Sequence, residues 1–187
     1  MGYKGLIFDL DNTLIDTDSL RGFRDSRQWQ SCYQNLHNTA AICHMDILED
    51  NVRKWNCKFG IVTNSPRPYA EKMLKHHCFI YDRLIAYHDC KRRKPYPDPM
   101  LKCADYLGVL PEEVISIGDH MNDILAANNA GMTSIGVTWG DCSKEKILSA
   151  NPNYVVDSFS ELISLLDSLF GGENHVHTIR SFEKYNY

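Results

Sequence analysis

The sequence predicts an α/β fold: a three-layer α/β/α, Rossmann-like parallel sheet with a small helical insertion after the first strand. Three observations carry this. Short apolar runs of β-type residues alternate with helical segments, the pattern of a parallel sheet with crossover helices. The first run, Leu6-Ile7-Phe8, ends directly in two carboxylates, Asp9 and Asp11, and ligands of parallel sheets bind beyond the carboxyl ends of strands. At 187 residues, 43% hydrophobic and 24% charged, the chain suits one globular domain with a substantial core and is too apolar to be disordered.

Taken in order, strands are expected at 6–8, 59–63, 83–86, 114–117, 133–137 and 154–156, each a short apolar run. Helices are expected at 47–55, 68–76, 99–106, 123–129, 142–149 and 161–170. Gly108, Gly131 and Gly140 fall where helices or strands end, as helix stops and turn formers do. These elements make 1–170 a single core domain. Within it, residues 17–45 are polar and fall outside the alternation, with an amphipathic segment around Trp29, Tyr33 and Leu36 whose apolar side chains suit packing. They form a helical insertion or short lid, a minimal cap over the strand ends. The stretch 171–187, polar and aromatic by turns, reads as a mobile extension.

Net charge near −4 gives no electrostatic case for a nucleic-acid or anionic-membrane partner. No basic-then-apolar leader and no membrane-length apolar run is present, so a cytoplasmic location without membrane association is the expectation. The seven cysteines are scattered, odd in number and lack any Cys-x-x-Cys, which argues against a disulfide framework or structural zinc. His76-His77 and His175-x-His177 have no further matched ligands and read as surface or tail residues.

Chemistry gathers at four strand ends. Alternation along an extended chain puts Asp9 and Asp11 on one side, where two carboxylates repel unless a cation or shared proton relieves them. Mg²⁺, hard and oxygen-seeking, suits that pair together with phosphate oxygens, while an acidic turn at the sheet edge is the plainer alternative for Asp-x-Asp by itself. After the second strand, Thr63-Asn64-Ser65 offers a hydroxyl and backbone N–H groups to a phosphate. After the third comes the basic cluster Lys91-Arg92-Arg93-Lys94, closed by Pro95. One fixed lysine there neutralises phosphate and an aspartate together. Arg92-Arg93 suits either a polyanionic substrate or a solvated loop. After the fourth, Gly118-Asp119 places one carboxylate at the strand end and Asp123 one helical turn later.

These four sets, in this order, resemble the haloacid dehalogenase superfamily over almost all of residues 5–165, and residues 94–140 are most similar to its phosphoglycolate-phosphatase-like branch. The resemblance implies a HAD-like fold and a Mg²⁺-dependent phosphatase that hydrolyses a phosphate monoester. It implies that Asp9 attacks phosphorus and forms an aspartyl-phosphate, with Asp11 as general acid and then base. Asp9, the Asp11 backbone carbonyl and Asp119 would hold the metal, and Asp123 would act through a water or by pairing with Lys94. Thr63 and the Asn64 amide would hold phosphoryl oxygens, and Lys94 would offset charge on the phosphoaspartate. Asp11 discriminates within the family, since the ion-pumping ATPases carry Thr there and the dehalogenases lack the acid.

The insertion is shorter than the helical cap that the similar branch usually carries. Lids usually supply water exclusion and discrimination. Either a bulky substrate covers the site itself, or a second subunit of a homo-oligomer supplies the lid. The leading expectation is a small phosphorylated metabolite as partner. A macromolecular phosphate (a nucleic-acid end or phosphoprotein) is the alternative, and a non-catalytic binding module the third reading.

Overall fold

The computed structural model of the chain describes residues 2–171. Six strands form one parallel sheet: β1 (Gly5–Phe8), β4 (Lys58–Val62), β5 (Arg83–Ile85), β6 (Val114–Gly118), β7 (Thr133–Val137) and β8 (Tyr154–Val156). The strand order is β5-β4-β1-β6-β7-β8, which puts β1 at the centre. Every residue of β1 is buried, which is why its sequence reads as an unbroken apolar run rather than an alternating one. Leu6 pairs in register with Phe59 on one side and Ile115 on the other, and Phe8 with Ile61 and Ile117.

The pleat sends alternate side chains to two apolar layers. Leu6, Phe8, Ile61, Ile117 and Ile135 face a cluster built with Leu48, Tyr69, Met73, Leu162 and Leu166, from α3 (Met45–Trp55), α4 (Arg67–His76) and α8 (Phe159–Phe170). Ile7, Val62 and Ile85 face the other, with Met100, Cys103 and Ala104 from α5 (Asp98–Leu107) and Ala126 and Ala127 from α6 (Met121–Asn129). The expected three-layer α/β/α sheet is the observed one, and each expected strand and core helix is present.

Boundaries differ where capping decides them. Helix α6 begins at Met121 rather than 123, because the His120 ring caps it, Nδ1 accepting the Asn122 N–H at 3.1 Å. Helix α7 (Lys144–Ser149) begins later than the expected 142, with Ser143 extended ahead of it. At the end of α5, Gly108 takes φ +70°, a left-handed stop that glycine adopts without steric cost.

The segment after β1 holds two short helices, α1 (Arg21–Asp25) and α2 (Trp29–Gln34), as well as an element the sequence did not reveal. β2 (Ile15–Asp16) pairs antiparallel with β3 (Ala40–Ala41), joining the two ends of the insertion in a short ladder. Trp29, Tyr33 and Leu36 pack against the larger core, the Trp29 ring 5.7 Å from that of Tyr69. Among the described residues no helix is long and apolar enough to cross a membrane. All seven cysteines are free thiols. The expected tail lies, apart from Gly171, outside the described residues.

Candidate active site

Strand ends place the site. The Asp9 N–H donates to the Ile117 carbonyl (2.9 Å) and the Thr63 N–H to Ile85 (2.9 Å), so each residue leaves its strand tied to a neighbouring one. Asp119 follows β6 directly, and Asp123 lies on the first turn of α6. Lys94 arrives from the loop after β5. Together they line a cavity of about 240 Å³ with Asp11, Asn64 and Ser65.

Lys94 is the hub. Its ammonium donates to Asp9 Oδ1 (2.6 Å), to the Val62 carbonyl (2.8 Å) and to Asp123 Oδ1 (2.6 Å), and it is buried. Burial works against its charge, but Asp123 and Asp9 outweigh this and hold it above the ordinary lysine range. Asp9, Asp119 and Asp123 each offer a carboxylate oxygen within 4.8 Å of the others. Three carboxylates against one ammonium leave an excess of negative charge in a buried place. Burial lifts Asp9 well above the usual carboxylate range despite Lys94. Burial, and then the Asp123 charge, lift Asp119 to about 6, even though it accepts hydrogen bonds from Thr13 and the Asp141 N–H. Hard carboxylate oxygens with unrelieved negative charge are the donor set that Mg²⁺ takes, so the residues fit the implied metal.

Two glycines are required by close approach here. A Cβ on Gly118 would meet Asp123 Cβ at 2.3 Å, and one on Gly140 would meet Asp119 Oδ2 at 2.2 Å. Each carboxylate therefore rests against bare backbone.

The structure separates Asp11 from Asp9. Its carboxylate lies outside the three-carboxylate cluster, which corrects the expectation that the two converge on one cation. The strand stops at Phe8, and Asn12 turns the chain at φ +61°, so strict alternation does not extend to Asp11. Asp11 Oδ2 accepts from Ser65 Oγ at 2.6 Å. Its Oδ1 accepts from Tyr69 Oη (2.7 Å) and Thr17 Oγ1 (3.0 Å) and pairs with Arg24 Nη1 at 2.8 Å. Burial and the Asp11 charge keep the Tyr69 phenol above its ordinary value, so it remains a donor.

Thr63 lines the cavity, its Oγ1 accepting the Ser65 N–H (3.0 Å). The Asn64 carboxamide donates to the Lys94 carbonyl at 3.1 Å, fixing the lysine's loop. Arg92 and Arg93 are not brought to the cavity. Arg92 pairs with Asp98 (3.0 Å) and Arg93 lies over the Tyr87 ring at 3.8 Å, so both serve their own loop. His76 and His77 stack edge to face on and just after α4, and His77 Nε2 meets Thr39 Oγ1 at 2.7 Å.

Sequence reasoning missed Thr13, Thr17, Arg24, Tyr69 and Asp141. Asp141 had a local signal, since it follows Gly140 just beyond the end of β7, a further strand end. Its N–H supports Asp119 (2.7 Å), and its Oδ1 accepts from Asn12 (2.6 Å). Arg24 and Tyr69 had none, because each reaches the site from a helix distant in the chain.

Comparison with known proteins agrees with this geometry. The family model described as haloacid dehalogenase-like hydrolase matches residues 24–137. A phosphoglycolate phosphatase of Salmonella typhimurium is 37% identical over 109 residues, which are 57% of this chain and 43% of that protein. The chain thus spans under half the length of such relatives. The pyrophosphatase PpaX of Bacillus mycoides is 31% identical over 170 residues, 85% of this chain and 78% of that one. The crystal structure of a hydrolase from Pseudomonas syringae shares the fold, with a TM-score of 0.77 at 21% identity over 89% of this chain and 99% of that chain. The chain belongs to the haloacid dehalogenase-like hydrolases, on their phosphoglycolate-phosphatase-like branch.

Proposed function

We propose that the chain is a Mg²⁺-dependent phosphatase that hydrolyses a small phosphate monoester through an aspartyl-phosphate on Asp9. The observation that carries this reading is the single cavity in which Asp9, Asp119, Asp123 and Lys94 meet, with a separately held carboxylate, Asp11, on its wall. The relatives' names put 2-phosphoglycolate and pyrophosphate first among compounds to try.

A carboxylate attacks a phosphate dianion only where cations cancel the repulsion. Lys94 supplies one such charge. Asp9, Asp119 and the Asp11 backbone carbonyl, with Asp123 behind them, would hold Mg²⁺, which would supply further positive charge beside the phosphoryl oxygens. Thr63 Oγ1 and the backbone N–H of Asn64 hold the phosphoryl group in line. An Asp9 oxygen then bonds to phosphorus as the ester P–O bond breaks, and Asp11 gives its proton to the departing oxygen. In the second half, water attacks phosphorus, Asp11 takes its proton, and the Asp9–phosphorus bond breaks to release inorganic phosphate. The hydroxyls of Ser65 and Tyr69 suit this double role, since a hydroxyl donates to a carboxylate and accepts from a carboxylic acid.

Phosphate release in Mg²⁺ from 2-phosphoglycolate, pyrophosphate and a panel of sugar phosphates tests the reading. Asp9→Asn is expected to abolish release while circular dichroism stays unchanged. Activity within a few-fold of the unmodified protein would refute Asp9 as nucleophile.

A further inference from the structure

Two cations line the cavity, Lys94 and Arg24, and they are not equivalent. Lys94 has committed all three ammonium protons, to Asp9, Asp123 and the Val62 carbonyl. Arg24 has not. Its Nη1 pairs with Asp11, while its Nε is buried and has no hydrogen-bond partner among the described residues. A buried guanidinium N–H without an acceptor is a standing cost that an incoming oxyanion removes.

Asp11 does not depend on Arg24. Ser65 Oγ and Tyr69 Oη each hold one of its oxygens, and Thr17 adds a third donor. The ion pair can therefore part without leaving the carboxylate bare. The two cations also come from different parts of the chain: Lys94 from the core's loop after β5, Arg24 from α1 in the insertion. A ligand with its phosphoryl group at Asp9 and a second charged group at Arg24 would bridge core and insertion.

We propose that Arg24 is a specificity-determining residue that binds a second oxyanion of the substrate, with Asp11 standing in for that group in the free protein. The inference rests on the phosphatase reading and adds to it the charge pattern of the substrate. The second oxyanion is a carboxylate or a second phosphate, and both present the oxygens that a guanidinium fork accepts.

Three compounds on one two-carbon frame test it: 2-hydroxyethyl phosphate, 2-phosphoglycolate and ethane-1,2-diol bisphosphate. In Mg²⁺, the full chain is expected to favour one anionic member over the neutral one by at least about tenfold in kcat/KM, mainly through KM, the smallest factor that one charge-assisted hydrogen bond supplies. Which anionic member wins identifies the carboxylate or the phosphate. Arg24→Gln is expected to bring that preference to within about threefold, and Arg24→Lys, which keeps charge without the fork, to leave part of it. No preference in the unmodified protein, or a preference that survives Arg24→Gln, overturns the proposal. If circular dichroism shows that Arg24→Gln does not fold, the unmodified protein's preference and the Arg24→Lys result decide. Hydrolysis of all three compounds at equal rates, lost in Asp9→Asn, overturns the role of Arg24 alone. No Asp9-dependent hydrolysis of any of them overturns the phosphatase reading with it.

Discussion

Asp119 titrates in a range that solution experiments reach easily. Its folded value of about 6 lies above the ordinary 3.8 because burial and the Asp123 charge penalise the carboxylate. The sign follows from linkage. A raised value means that the folded, metal-free protein holds this proton more tightly than the unfolded chain does. The group's contribution to stability is complete below 3.8 and is lost as pH rises through about 6. Mg²⁺ at this site would need the ionised form, so its binding would release a proton and weaken on acidification. Calorimetric titration is expected to show the Mg²⁺ Kd rising about tenfold from pH 7 to pH 5, with proton release near pH 6. A Kd flat across that range would mean that Asp119 is not a ligand. At this scale the sequence spoke well for residues at strand ends, where position follows from the apolar run before them. It spoke poorly for Arg24 and Tyr69, because helix residues reach a site through packing between distant segments, which no local pattern encodes.

Elements divide along the same line. Strands β1, β4, β6 and β7 were legible because burial on both faces demands continuous apolar runs. The insertion was not, and its physics explains why. Helices α1 and α2 are 5 and 6 residues long and have no side-chain N-cap, and the β2–β3 ladder joins only two residues to two. Such pieces depend on tertiary contact for their existence. Helix α1 fully buries no residue and rests on the core through half-buried Phe23, with ion pairs from Arg24 to Asp11 and Arg21 to Asp141 beside it, while α2 leans on Tyr69 through Trp29. Removing the Trp29 ring is therefore expected to loosen the insertion and spare the sheet. In Trp29→Ala, hydrogen exchange across residues 17–41 should accelerate at least about tenfold while the β1, β4 and β6 amides keep their protection. Equal acceleration in both would mean that core and insertion unfold as one unit.

At the scale of the molecule, the site is a concentration of unrelieved negative charge at the centre of a parallel sheet, and the fold tolerates it through one buried lysine. Two consequences can be measured together. A metal that binds only the folded form stabilises by mass action, about 2.7 kcal/mol at a hundred times its Kd. Mg²⁺ is thus expected to raise Tm by several degrees, and Asp123→Asn to reduce that increment. Lys94→Met removes the counter-charge and leaves buried carboxylates facing one another, so it should destabilise the metal-free fold by about 3–5 kcal/mol. Urea unfolding in chelator checks this, and a loss below about 1 kcal/mol would mean that the lysine is not the partner the sheet requires.

The short ladder between Ile15–Asp16 and Ala40–Ala41 has a bearing on how such a protein changes over generations. It brings the departure and return of the chain side by side at the rim of the sheet, so that what lies between is a closed excursion. Lengthening a closed loop costs only about 0.6 kcal/mol per doubling. Whole domains could be grown or pruned between Asp16 and Ala40 while Asp9, Lys94 and Asp119 keep their places. The chemistry is inherited with the sheet, and the choice of what enters it is free to vary beyond the ladder.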